Sequence, residues 1–126
     1  MDIYEQHRKA FSNVSAHVVM LGSERVATVA FKFSNAVTAY VHWVGTPMLR
    51  GRAGGGGYDR QAAACRDAVR KMPGSLPGKT YVNGTPYYDD AERVAFAKFH
   101  AAMVADDGRD WRDRLRDAGF VVGQAV

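Results

Sequence analysis

Apolar and polar residues alternate along three stretches near the start of the chain, which is the pattern of half-buried β-strands. The stretches are SAHVVML (15–21), RVATVAFKF (25–33) and AVTAYVHWV (36–44). The turn-forming pairs Gly22-Ser23 and Ser34-Asn35 separate them. We therefore predict an antiparallel three-stranded meander.

The same alternation groups apolar side chains on one face of each strand. These groups are Ala16, Val18 and Met20 in the first strand, Ala27, Val29, Phe31 and Phe33 in the second, and Val37, Ala39, Val41 and Trp43 in the third. The face that carries Thr28, Lys32, Tyr40 and His42 is expected to be the more exposed one.

Helical periodicity predicts two helices around this sheet. Asp2 is suited to begin a short helix through Phe11. Asp59 is suited to cap a longer helix over residues 60–72, whose apolar stripe is Ala62, Cys65, Val69 and Met72.

Two more helices and a strand are predicted after a Pro- and Gly-rich loop (73–86). Asp89 and Asp90 favour the start of a helix, and the buried side of that helix carries Phe96, Phe99 and Met103. After a break at Asp106-Asp107-Gly108, a short helix has Trp111, Leu115 and Ala118 on one stripe and Gly119 as its stop. FVVGQAV (120–126) is predicted to add a last strand to the edge of the sheet.

Strands followed by helices indicate an α+β fold. We predict a single domain over residues 1–126. It consists of an α-β-β-β-α core (1–72), the loop 73–86 and a helical extension (87–126) that ends in the short strand.

Composition narrows the functional classes. The chain has 126 residues, 47% of them hydrophobic, and its one cysteine excludes an intrachain disulfide. No apolar stretch reaches the roughly 18 residues that span a bilayer, and the N-terminus lacks a signal-peptide core. We expect a cytoplasmic protein, in the host cell if a phage encodes it, with no membrane partner, cofactor or metal.

The net charge of +4 is unevenly distributed. Residues 1–80 carry eleven Lys/Arg against five Asp/Glu, a balance of +6, and residues 81–126 carry six against eight, a balance of −2. A solvated basic surface accounts for this, and a surface that attracts phosphate is the functional alternative.

The run RGRAGGGGYDR (50–60) joins the third strand to the helix over 60–72. It is not a P-loop, because Gly57 and Tyr58 stand where that motif has Lys and Ser/Thr. A flexible connector is the structural interpretation. The functional alternative is phosphate contact along the basic stretch 50–71, through Arg50, Arg52, Arg60, Arg66, Arg70 and Lys71.

Residues 1–72 resemble a double-stranded-RNA-binding domain in outline. That family has α-β-β-β-α order, and its last helix follows a Gly-rich turn with lysines that grip phosphates. GRAGGGGYDRQAAACRDAVRKM (51–72) is similar to that turn and helix. Asp59 and Arg60 replace the paired lysines and Ala63 replaces the third, so Arg60 alone carries over as a phosphate contact.

Candidate catalytic residues are few. His17 and His42 lie in predicted strands and are expected to share a sheet face, so a small enzyme that uses one of them is a lesser alternative. The sequence places no carboxylate or third metal ligand beside them. Cys65 lies on a buried stripe and is expected to pack as a small apolar residue. We expect no enzymatic activity.

Two stretches suit contact with another protein. The first is acidic and aromatic, and its contact residues are Tyr87, Tyr88, Asp89, Asp90 and Glu92. The second is the charged helix over 109–117, with Arg109, Arg112 and Arg116 as contact residues. Helix capping and local ion pairs, such as Asp110 with Arg114, are the structural interpretation of both.

Several features of this sequence resemble those of proteins encoded by phages and prophages, a group that includes anti-CRISPR proteins. They are the short chain, the opening MDIYEQHRKAF, and YVHWVGTPM followed by a glycine run and GYDRQAAA. The resemblance implies a stoichiometric inhibitor. We expect it to occlude a host protein or ribonucleoprotein complex, such as a CRISPR–Cas effector, and nucleic-acid binding through 50–71 is the alternative.

Overall fold

The computed structural model describes residues 14–33, 36–54, 60–72 and 90–124, which form a five-stranded antiparallel sheet and three helices. This confirms the predicted α+β class. The strands are β1 (Val14–Leu21), β2 (Glu24–Phe33), β3 (Ala36–Trp43), β4 (Leu49–Gly54) and β5 (Val121–Gln124). The helices are α1 (Gln61–Val69), α2 (Asp90–Val104) and α3 (Trp111–Asp117).

The sheet has the order β4-β3-β2-β1-β5. The meander of β1 to β3 is confirmed, and so is the last strand, which pairs with β1 at the edge. The prediction of only three strands in the core sheet was wrong. β4 pairs with β3 from Ala36↔Gly54 to Val41↔Leu49, so the first part of the expected connector is a strand. Its sequence, LRGRAG, lacks the β-branched and aromatic residues that mark strands.

The helices cover one face of this sheet. α1 packs on β3 and β4, α2 packs on α1, and α3 packs on α2 and β5. Aromatic contacts tie the layers together, because Trp43 of β3 meets Phe96 and Phe99 of α2 with ring centroids 5.4 and 5.1 Å apart. The buried side of α2 was therefore predicted correctly at Phe96, Phe99 and Met103.

The inner and outer faces of β1 are the reverse of those predicted. His17 and Val19 lie on the helix-covered face, since they pair with Val29 and Ala27 of β2. Ala16 pairs with Ala30 on the other face. Both faces of β1 carry apolar side chains, so its own pattern did not identify the inner face, and pairing with β2 decided it.

The second face of the sheet is less exposed than predicted. Thr28 retains 2% of its accessible surface and Ala30 also 2%. Both are small residues on the central strand and pair with the larger His42 and Tyr40 of β3, which are half-buried. Lys32, near the end of β2, is exposed as expected.

Helix α1 approaches the sheet closely along an alanine stripe. A Cβ on Gly51 of β4 would lie 2.8 Å from Cα of Ala68 and would collide with the backbone of Ala64 and Ala68. The buried stripe therefore contains Ala64, Cys65 and Ala68, and the predicted member Ala62 is only half-buried. Glycine in the strand and alanine in the helix make this contact possible.

The end of the chain follows the prediction. Trp111 and Leu115 are buried, and Gly119 ends α3 with φ at 98°. The expected helix from Asp2 to Phe11, the cap Asp59 and the stretch 73–89 lie outside the described residues. The single domain over 1–126 stays a prediction.

Candidate functional site

Strand β4 points its two arginines away from the helices. Gly51 and Ala53 face α1 and are buried, whereas Arg50 and Arg52 alternate with them and are exposed. Because side chains alternate along a strand, both guanidinium groups emerge on the second face of the sheet.

Sheet register brings a third cation to these arginines. Lys32 of β2 pairs with Thr38 of β3, and Thr38 pairs with Arg52. Adjacent strands lie about 4.8 Å apart, so the three side chains form one row across the sheet. Tyr40 of β3 pairs with Arg50 in the next row.

Lys71, just after α1, adds a fourth cation at the β4 edge. Its Nζ donates to the carbonyl oxygen of Arg50 over 2.6 Å. Asp67 Oδ2 accepts from the backbone N–H of Arg52 over 2.9 Å. These side chains from the helical layer bind polar groups on the outer edge of β4 and hold Lys71 beside the arginines.

We call Lys32, Arg50, Arg52 and Lys71 the basic face. Together with Thr38 and Tyr40 they line a recess of about 400 Å³. Asp67 is the one acidic residue in its lining, and its carboxylate lies 3.9 Å from Lys71. Within the described ranges, no carboxylate forms an ion pair with Lys32, Arg50 or Arg52. Four cations against one anion leave the recess with a formal charge of +3.

The fold divides the predicted basic stretch 50–71. Arg50, Arg52 and Lys71 come together, but Arg60 at the start of α1 and Arg66 in its last turn line a different pocket. Arg70 is exposed at the C-cap. Lys32 was not predicted as a site residue. It is the exposed member of an alternating strand, and only the pairing of β2 with β3 and β4 reveals its neighbours.

The arginines predicted as protein contacts around α3 are engaged locally. Arg109 lies 2.6 Å from Asp117, Arg112 lies 2.7 Å from Asp110, and Arg116 lies 3.2 Å from Asp113. Hydrogen bonds that Arg109 donates to Asp117 and Arg112 donates to Asp110 raise the pKa of both arginines. The helix therefore presents a nearly neutral array of paired charges.

The expected pair of Asp110 with Arg114 was wrong. Asp110 is the N-cap of α3 and accepts from the backbone N–H of Arg112 over 2.8 Å as well as from its side chain. The side-chain bond from Arg112 is the main cause that lowers the pKa of Asp110. Arg114 binds Asp107 instead, over 3.0 Å. The capping geometry turns the Asp110 carboxylate back to the first turn, away from position 114.

The acidic stretch is only partly described. Asp90 and Glu92 lie in the first turn of α2, and Arg93 lies 3.3 Å from Asp90. Tyr87, Tyr88 and Asp89 lie outside the described residues. The role of this stretch in protein binding stays a prediction.

The two candidate catalytic histidines do not share a face, contrary to the prediction. His17 lies on the helix-covered face, where it meets Phe31 and Trp111 with ring centroids 6.0 and 5.3 Å apart. Burial, followed by the charge of Arg112, lowers the pKa of His17. His42 pairs with Thr28 and lies on the second face. Strand parity separates them, since one residue is buried among aromatic rings and the other lies across the sheet.

Cys65 is fully buried, and burial raises the pKa of its thiol. A thiol in this setting packs as an apolar group. The part of the chain that the structure describes holds no cluster of three or more His, Cys, Asp or Glu side chains suited to a metal ion.

No protein family, curated protein or solved structure matches this chain. In the described ranges, no helix has both the length and the apolar character needed to cross a bilayer. The geometry and charge of the basic face are therefore the features that bear on function.

Proposed function

We propose that this protein binds nucleic acid through its phosphates, using the basic face. The observation that carries the proposal is the contrast between two sets of positively charged side chains. Those around α3 are each held by a carboxylate, whereas Lys32, Arg50 and Arg52 have no ion-pair partner among the described residues. Unpaired cations in a row attract a polyanion and release its counterions on contact.

The chemistry of the basic face suits phosphate oxygens. Arg50 and Arg52 each offer a planar fork of N–H donors that binds phosphate in a bidentate manner. Lys71 uses one donor on the Arg50 carbonyl and keeps others for a ligand. Contacts of this type position a backbone without reading bases, so binding is expected to be largely independent of sequence.

Fluorescence anisotropy with labelled duplex RNA, duplex DNA and single strands tests this proposal across a series of salt concentrations. The logarithm of the binding constant should fall linearly with the logarithm of the salt concentration, by about 0.9 per phosphate contact on B-DNA and about 0.7 on single strands. In the double variant Arg50→Gln/Arg52→Gln, two contacts are lost, and the slope on duplex DNA should decrease by about 1.8.

A matched control removes the same charge elsewhere. Arg112→Gln/Arg116→Gln also loses two arginines, but these are paired with Asp110 and Asp113 on the surface of α3. Its slope should stay close to that of the unmodified chain. Equal weakening by both double variants, or no binding at low salt, would contradict the proposal.

The role as inhibitor of a host defence complex stays a prediction. A pull-down with purified effector complexes tests it separately. Capture of a complex by a chain that shows no nucleic-acid binding would favour that role over the one proposed here. The paired charges of α3 then become the first surface to mutate.

A further inference from the structure

A second basic pocket lies at the opposite end of α1 from Lys71. It has a volume of about 430 Å³ and lies between α1, at residues 60–63 and 66, and the segment that leads into α3, at residues 106, 108–111 and 114. Four arginines and two aspartates line it: Arg60, Arg66, Arg109, Arg114, Asp106 and Asp110. The formal balance of these groups is +2.

This pocket differs from the basic face because a buried arginine, Arg114, lies in its wall. Its side chain is only 4% exposed. Nη1 donates to the carbonyl oxygen of Ala105 over 2.6 Å and to Asp107 over 3.0 Å. Among the described residues, Nε and Nη2 of Arg114 have no hydrogen-bond partner. A buried guanidinium with two unsatisfied donors is costly, and an anion held beside it lowers that cost.

The two aspartates do not neutralise the pocket. Asp110 is already bound by the backbone and the side chain of Arg112, a residue outside the lining. Asp106 is 77% exposed and lies 3.6 Å from Arg66. Outside the lining, Asp117 lies 2.6 Å from Arg109 and Asp107 lies 3.0 Å from Arg114. Arg60 is therefore the one lining arginine without an ion pair among the described residues.

The start of α1 contributes backbone donors to the same pocket. Gln61, Ala62 and Ala63 line it, and the N–H groups of a first helical turn have no partner inside the helix. The side chain of the N-cap, Arg60, makes no capping hydrogen bond, and the first turn holds no acidic residue. Such a turn favours an anion, most of all beside arginines.

We propose that this pocket binds a single phosphate group carried as a monoester or as the free dianion. The ligand is one small anion and not the polymer of the basic face, because the donors converge between α1 and the segment before α3 and do not form a row. Its source is either the terminal phosphate of a nucleic acid or a small phosphorylated molecule. Arg60 and the first turn of α1 contact it, and Arg66 and Arg114 supply charge from the wall.

Titration with inorganic phosphate, followed by two-dimensional ¹H–¹⁵N NMR, tests the pocket directly. The chain has two tryptophans, and the indole N–H of Trp111 donates to Gln61 in the pocket wall over 3.1 Å. Saturable shifts are expected for this indole N–H and for the backbone N–H groups of residues 61–63. The Trp43 indole packs among Phe96, Phe99 and Phe120 and should not move, which provides an internal control.

Phosphate binding by variants of surface residues tests which side chains contact the ligand, and these substitutions leave the core intact. Arg60→Gln should weaken phosphate binding about tenfold, since a hydrogen bond to a charged group is lost. Arg116→Gln removes an arginine from α3 outside this pocket and should leave binding unchanged. Arg50→Gln/Arg52→Gln should also leave it unchanged, so the failure of one proposal is distinguishable from the failure of the other.

A second NMR titration identifies the source of the phosphate. Two oligonucleotides of the same sequence, one with and one without a 5′-phosphate, are added to the variant Arg50→Gln/Arg52→Gln. Shifts at 61–63 with the phosphorylated form alone identify a terminal phosphate. Shifts with inorganic phosphate and with neither oligonucleotide identify a small phosphorylated ligand. No saturable shift with inorganic phosphate, or the same affinity in Arg60→Gln, overturns the proposal.

Discussion

Polar side chains inside the core are held by one another and by aromatic rings. The Trp111 indole N–H donates to Gln61, which is 4% exposed, and the ring of Trp111 packs against the edge of His17. Because buried polar groups are costly without partners, this cluster sets the position of α3 above β1. It also determines which form of His17 the fold tolerates.

The stability of the protein should depend on the titration of His17. Burial, more than the charge of Arg112, lowers its pKa below the ordinary value of 6.5. The unfolded chain then binds a proton at pH values where the folded chain does not. The contribution is complete above pH 6.5 and is lost as the pH falls below it. Urea unfolding at about pH 7.5 and about pH 5.5 measures the difference in the free energy of unfolding.

The variant His17→Gln isolates this contribution from those of the other histidines. It should lose less stability between the two pH values than the unmodified chain does. An identical loss in both proteins would show that His17 is not the group responsible.

At the scale of elements, β4 and α1 form a unit held by shape and by edge contacts. Gly51 admits the backbone of α1, and Asp67 and Lys71 bind polar groups on the outer edge of β4. An exposed edge strand is a template for pairing with other chains, and these side chains cover it. The same contacts place Arg50 and Arg52 on the second face.

Gly51→Ala should destabilise the protein strongly. The added methyl group meets the backbone of Ala64 and Ala68, which belongs to a helix and does not yield like a flexible side chain. Overpacking of this kind costs about 1–3 kcal/mol, and more where the backbone must shift. Urea denaturation followed by circular dichroism measures the loss.

Gly54→Ala is the matched control for that substitution. It lies on the same strand, and a Cβ there meets none of the described residues within 4 Å. Both variants gain equally from a stiffer unfolded chain, so the difference between them reports the contact with α1. Similar free energies of unfolding for the two variants would mean that α1 does not approach β4 as closely as described.

At the scale of the whole molecule, a hydrophobic cluster joins the sheet to the three helices of the described ranges. It includes Val19 of β1, Trp43 of β3, Cys65 of α1, Phe99 of α2 and Leu115 of α3. The surface charge is organised around this core. Lys32, Arg50 and Arg52, which have no ion pair within the described part of the chain, lie on the second face near β4. Paired charges surround α3 on the helical side.

Because the cluster is continuous, we expect the chain to unfold in a single cooperative transition. Trp43→Phe and Trp111→Phe each leave one tryptophan as a reporter in a different part of the cluster. In both variants, the urea midpoint from fluorescence should coincide with the midpoint from far-ultraviolet circular dichroism. Midpoints that differ within one variant would indicate that two parts of the chain unfold independently.

The α+β class, the strands β1 to β3, the buried side of α2 and the last edge strand could all be recognised from the sequence. These features depend on local periodicity and turn residues, which act over a few positions and can be recognised without the rest of the chain. The arginines of 50–52 and the charged helix over 109–117 were also recognisable as candidate surfaces.

The inner face of β1, the existence of β4 and the membership of the basic face depend on contacts between segments that are distant in the sequence. His17 faces inward because of its register with β2, and LRGRAG becomes a strand because α1 packs on Gly51 and β3 supplies the pairing. The pairing of β2, β3 and β4 places Lys32 in the same row as Arg52. Arg60 lies at the start of α1, whereas Arg50 lies near Lys71 just after the end of that helix. Pairing and packing between distant segments produce these juxtapositions, and no pattern confined to one segment contains them.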